Sequence, residues 1–291
     1  MVKSRKHWML GAAVSVIVVA LGTAGIQVSQ AATLPESSGS ATSTASSTTS
    51  TSTPTTATAS TATPTVAKIA TDARYSVAAI DLTTGESASS HTGAFDTASI
   101  VKVDILAALL YLAQQDGTQL TVQQKALATA MIEHSDNTAA TTLFNEVGGK
   151  SGLEAVNRVF GLTETVIGSD GNWGLTQTTA ADQIRLLRIA LGDRTVLAAS
   201  SKDYIAALMS NVEADQNFGV SAASDDSDDA ALKVGYLQRS QTGLWDVTSI
   251  GRIESGGHTY LVAVLSDSNA SFASGVQLVD AAAKAAVSAL A

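Results

Sequence analysis

The chain has 291 residues, no cysteine and a formal net charge of −9. That length allows one large domain or two small ones, and the missing cysteine excludes disulfides, so stability has to come from a packed core. A balance this acidic excludes electrostatic binding to nucleic acid.

The first 31 residues carry Lys3, Arg5, Lys6 and His7 but no acid. An uncharged apolar run from Met9 to Val28 follows, then Ser29-Gln30-Ala31. This is the pattern of a secretory signal peptide. The run is also close to the ~20 residues that cross a bilayer, so an uncleaved membrane anchor is the second reading. Either one puts the remainder outside the cytoplasm, secreted or anchored. With no cysteine after the run, a lipoprotein anchor is excluded. Removal after Ala31 takes away three positive charges and moves the net charge from −9 to −12.

Residues 32–66 are almost wholly Ser, Thr and Ala, with Pro35, Pro54, Pro64 and one charge, Glu36. So little large apolar surface cannot offset the entropy of ordering, which predicts a disordered tether or wall-spanning stalk.

A folded domain is expected over 67–291. YSVAAIDL, 75–82, reads as a strand, and Thr83-Thr84-Gly85-Glu86 as a turn. Ser99 opens a helix in which Val103, Leu106, Ala107, Leu110 and Ala113 recur at helical spacing, stopped by Asp116-Gly117. Helices are predicted over about 122–134, 138–147, 151–160, 179–191 and 201–213. Strands follow over 244–253 and 260–266, and a last helix over 272–290. Strand, helical block, strands, terminal helix is an α+β order. It predicts an antiparallel sheet flanked by N- and C-terminal helices, with an all-helical subdomain inserted and the site between the halves.

Three clusters could carry chemistry. In Ser99-Ile100-Val101-Lys102, positions i and i+3 share a helix face, so the hydroxyl and the amine can meet. A serine needs a base to become a nucleophile, and a lysine serves only if burial or a second cation lowers its pKa. The bland alternative is a helix N-cap and a surface lysine. Ser135-Asp136-Asn137 lies between two helices; it can cap, or Ser135 can relay a proton while Asn137 binds a substrate amide. Lys233-Val234-Gly235 lies on a predicted strand. Lys233 there could supply the second cation and hold a substrate carboxylate, with Gly235 letting substrate reach the strand edge; an ordinary strand with a glycine bulge is the alternative.

SxxK, SDN and a Lys-x-Gly strand in this order form the motif set of class A β-lactamases and penicillin-binding proteins. HTGAFDTASIVKVDILAALL resembles their nucleophile helix, SDNTAATTLFNEVGG their SDN segment, and GLTQTTAADQIRLL the exit of their Ω loop. The resemblance covers most of 68–291. It implies Ser99 as nucleophile, Lys102 as base, Ser135 as relay and Asn137 and Lys233 as substrate binders. It also implies an oxyanion hole from the backbone N–H groups of Ser99 and Tyr236. The substrate would be a β-lactam or a peptidoglycan stem peptide, with no cofactor or metal, and the protein a monomer.

Two departures stand out. The family's Ω loop carries a glutamate that activates the deacylating water. The corresponding TVIGSDGNWGLTQTT, 165–179, has only Asp170, with Glu164 just before it. The ester at Ser99 should therefore persist, which is penicillin-binding rather than lactamase behaviour. Val234 stands where the family has a hydroxyl for the substrate carboxylate. These departures leave two alternatives: a non-catalytic wall-binding or interaction module, and a serine esterase of another substrate. His91, His134 and His258 are dispersed, and SDDSDD over 224–229 reads as a solvated loop. Trp173 could wall the site or belong to the core.

Overall fold

The computed structural model describes residues 64–90 and 93–291. The leader at 1–31 and all but the last three residues of the linker at 32–66 lie outside that range. In chain order the elements are β1 (Arg74–Asp81), β2 (Ser87–Ser90), β3 (Phe95–Asp96), α1 (Val101–Gln115), α2 (Val122–Glu133), α3 (Asn137–Glu146), α4 (Gly149–Phe160), β4 (Gln177–Thr178), α5 (Ala180–Ala190), α6 (Ala199–Met209), β5 (Ala231–Gln238), β6 (Trp245–Ser255), β7 (His258–Asn269) and α7 (Phe272–Ser288).

One antiparallel sheet runs β2-β1-β7-β6-β5, and β3 pairs with β4 in a second, two-stranded piece. Strand side chains alternate between faces, and here both faces are buried. Tyr75, Val77 and Ala79 of β1 join one core, Ala78 and Ile80 the other. Tyr260, Val262 and Val264 of β7 face α7, whereas Leu261, Ala263 and Leu265 face the helical half. On β5, Leu232 and Val234 lie in the α7 core and Ala231 in the helical core. The same alternation turns Lys233 and Gly235 toward the helices.

Among the described residues no helix precedes β1; residues 64–73 approach it as coil with one bridge, Thr65 to Ser89. The α+β architecture is the one expected, with α7 on one face and the helical block on the other.

Helix α1 is the pillar of that block. Every residue from Val101 to Leu110 is buried, and all but Lys102 and Asp104 are apolar. Each buried Leu or Ile there contributes about 1.5–3 kcal/mol. The two charged side chains in that stretch, Lys102 and Asp104, therefore need special surroundings. Local start signals set the other helices: a Thr121–Gln124 capping box for α2, the Thr179 hydroxyl on Asp182 N for α5 and a Ser271–Ser274 capping box for α7.

Candidate active site

The turn before α1 is fastened from three sides. Asp96 is held by Gln177 and Arg239. Thr97 N donates to Thr176 O at 2.8 Å, and the Thr248 hydroxyl on β6 donates to Thr97 O at 3.1 Å. Between these anchors Ala98 is forced to φ +47°. A left-handed non-glycine residue costs on the order of 1–2 kcal/mol, and it persists where its surroundings over-determine it. The result is a half-buried Ser99 at the entry of α1, one turn from Lys102.

Lys102 is fully buried. Its Nζ donates to Ser99 Oγ at 3.0 Å, Ser135 Oγ at 3.0 Å, Ser135 O at 2.6 Å and Asn137 Oδ1 at 2.8 Å. The Trp173 ring centroid is 5.2 Å away. Burial drives the amine down to about 8, against the opposing charge of Asp136. A neutral amine keeps a lone pair, so either hydroxyl can reverse the bond and donate to it.

Ser135 reaches Lys102 because the turn between α2 and α3 is tight. Its φ is +53°, and Asp136 then caps α3 by accepting from Ala139 N at 2.6 Å. Of the SDN triplet, Asp136 caps the helix, while Ser135 and Asn137 turn to the amine. Asn137 is exposed, and with its amide oxygen on Lys102 its NH₂ remains for another partner.

Lys233 is fully buried on β5 and donates to Gln216 Oε1 at 2.7 Å. Burial first, then repulsion from Lys102, lowers it to about 7, while Glu213 and Asp215 pull the other way. The two amines thus feel each other, although burial is what lowers Lys102. Gln216 has no local sequence signal; it lies in the short turn Ala214–Gln216 and is brought to Lys233 by the tertiary fold.

Gly235 lies against the turn that carries Ser99. A Cβ there would sit 2.6 Å from Ser99 N and 2.7 Å from Thr97 O, both backbone atoms. Only glycine lets β5 come this close. Tyr236 follows it, half exposed, with its ring 4.8 Å from that of Phe272. Val234 is buried in the α7-side core, so its methyl groups do not line the cleft.

Ser99, Lys102, Ser135 and Asn137 therefore meet at one amine, and Gly235 meets the Ser99 backbone. The loop over 161–179 adds no carboxylate to them. Glu164 accepts from the Thr179 hydroxyl at 3.3 Å, and Asp170 is exposed in a left-handed turn. Trp173 is both wall and core: it packs on the helical core and its Nε1 donates to Thr141 Oγ1 at 3.1 Å. Elsewhere, His134 pairs with Glu213 and His258 with Asp81, while Asp225 holds the β6–β7 hairpin at Gly256 N. Among the described residues no group of three His, Cys, Asp or Glu could hold a metal ion.

Residues 112–290 match the family model described as the beta-lactamase enzyme family. The chain is 33% identical over 129 residues to proteins of Mycobacterium tuberculosis and Mycobacterium bovis named LppW, whose names carry the word lipoprotein. That match covers 42% of this chain and 41% of the relative, so less than half of either is compared. A class A beta-lactamase of Bacteroides cellulosilyticus superposes with a TM-score of 0.64 at 18% identity, over 75% of this chain and 92% of that one. The protein PBP-A superposes at 0.63 and 20% identity, over 75% and 90%. A variant of it, solved as an acyl-enzyme complex with penicillin G, gives 0.63 and 21%, again over 75% and 90%. At these identities the solved structures show a shared fold.

Proposed function

This chain belongs to the beta-lactamase enzyme family, and we propose that it is an extracytoplasmic serine acyl enzyme that opens β-lactams or cell-wall peptide amides and holds the product as an ester. The observation that carries this is Lys102 Nζ at 3.0 Å from both Ser99 Oγ and Ser135 Oγ. One amine can take a proton from the first hydroxyl and pass it through the second.

In the forward step neutral Lys102 accepts the Ser99 proton as Oγ bonds to the amide carbonyl carbon. The negative oxygen is met by the backbone N–H groups of Ser99 and Tyr236, which Gly235 allows to lie close together. Ser135 then delivers the proton to the amide nitrogen as its bond to carbon breaks. Asn137 and Lys233 orient the substrate, the latter through its charge. The leader composition supports a site of action outside the cytoplasm. The small-molecule or stem-peptide partner follows from the same chemistry.

Incubation with a fluorescent penicillin, followed by intact mass, tests the proposal. A single stoichiometric adduct that Ser99→Ala abolishes is expected. No adduct on the wild type, or one that survives Ser99→Ala, overturns it. Hydrolysis of a chromogenic cephalosporin would then separate turnover from trapping.

A further inference from the structure

Breaking the ester at Ser99 needs more than making it. A water oxygen must bond to the acyl carbon while a base removes its proton, and the carbon–Oγ bond must break with a proton returned to Ser99. The products are a free carboxylic acid and the original hydroxyl. The water has to be held beside a basic group, on a side of the ester not occupied by the enzyme.

Around Lys102 there are close neighbours on which such a water would have to intrude. Ser99, Ser135 and Asn137 take one side of the amine, and the face of Trp173 stands 5.2 Å from it on another. Trp173 is held through its indole and through its backbone. Its Nε1 donates to Thr141 Oγ1 at 3.1 Å, and that hydroxyl donates to Asn137 O at 2.9 Å. Its backbone carbonyl accepts from Thr176 N at 3.1 Å, and Thr176 O accepts from Thr97 N at 2.8 Å. Residue 173 is thus tied to α3 by its side chain and to the nucleophile turn by its chain. An indole has one donor, here already used, and no acceptor, so it can neither orient a water nor deprotonate one. The two carboxylates of the loop do not replace it: Glu164 is bonded to Thr179 and Asp170 is exposed.

We propose that the Trp173 indole makes the acyl-enzyme at Ser99 long-lived, by filling the side of Lys102 where a hydrolytic water would have to be held. The proposal rests on the acyl-enzyme reading above. Trp173 acts as a positioning residue that excludes a reactant, so its removal should change the ratio of ester decay to ester formation.

The test follows the decay of the penicilloyl adduct by intact mass after excess fluorescent penicillin is removed, in the wild type and in Trp173→Ala, Trp173→Glu, Trp173→Phe and Thr141→Val. Opening the space should speed decay by ~10-fold or more in Trp173→Ala, and further in Trp173→Glu, which adds a base. Trp173→Phe, which keeps a ring there, should stay close to the wild type. Thr141→Val frees the indole without opening a cavity and should speed decay to a smaller extent, which keeps the test decisive where Trp173→Ala does not fold. The same decay rate in the wild type and in every folded variant overturns the proposal, as does a wild-type adduct lost within seconds. Failure of the wild type to form any adduct is a different result and removes the acyl-enzyme reading beneath it.

Discussion

Lys233 Nζ and Gln216 Oε1 lie 2.7 Å apart, both side chains buried, one on β5 and the other in a turn more than a dozen residues earlier. The Gln216 Nε2 group reaches Glu133 O at 3.4 Å, two residues before Ser135. The glutamine therefore links the amine of the strand to the turn that carries Ser135. Gln216→Ala should leave a buried ammonium without its acceptor and lower the unfolding free energy by about 1–3 kcal/mol, measured by urea titration. An unchanged midpoint would mean that Lys233 finds another partner.

The two amines predict a pH optimum. In the proposed mechanism acylation needs Lys102 neutral, so its rate should rise with pH through about 8. Holding a substrate carboxylate needs Lys233 charged, so binding should weaken as pH rises through about 7. For penicillin, the second-order acylation rate should peak between about 7 and 8 and fall on either side. Gln216→Glu places an anion on Lys233 and should carry the falling limb to higher pH. Stopped-flow rates across pH 6 to 10 read this out; a rate flat over that range rules out Lys102 as the base.

Gly235→Ala should be severe for chemistry and milder for folding. Its Cβ would meet backbone atoms of Ser99 and Thr97 at 2.6 and 2.7 Å, so the turn that carries Ser99 must move. A displacement near 1 Å at reacting atoms costs on the order of 10²-fold. The adduct assay should show that loss in a protein that still unfolds cooperatively; labelling at the wild-type rate would show that the turn need not sit there.

Asp104 predicts a stability that depends on pH. It is buried on α1 two residues from Lys102, accepts from Asn157 Nδ2 at 2.8 Å and has no partner for Oδ1 among the described residues. Burial pushes its carboxyl up to about 7, with Asn157 opposing and Asp182 adding repulsion. The folded state thus prefers the protonated acid. That stability is whole below the ordinary carboxyl range and is lost as pH rises through about 7. Thermal unfolding of the wild type should fall across that interval, whereas Asp104→Asn, which mimics the neutral acid, should hold its midpoint. Parallel curves for the two proteins would show that Asp104 is ionised throughout.

What was legible depended on distance along the chain. The Ser99–Lys102 pairing follows from helical spacing, and the role of Asp136 as a cap follows from its place before α3. The long buried strands were legible by composition, but β2, β3 and β4 are too short and polar to announce themselves. Gln216 was invisible, because nothing near it in sequence says that a lysine on β5 will arrive. Trp173 could be singled out, yet wall and core are not separable from its neighbours; the fold makes it both.

Strand order carries a further consequence. β1 lies beside β7, and β5 hangs from the far side of β6. Ser99 comes from the first half of the folded portion, whereas Lys233 and Gly235 arrive on a hairpin that is joined to β1 within the sheet through the last strand, and to the Ser99 turn through Thr248 and Arg239. A chain clipped before residue 258 keeps Ser99, Lys102, Lys233 and Gly235 but lacks the strand that joins β6 to β1. Such a shortened copy should fail to take up fluorescent penicillin, because the sheet that presents β5 is continuous only with β7 in place.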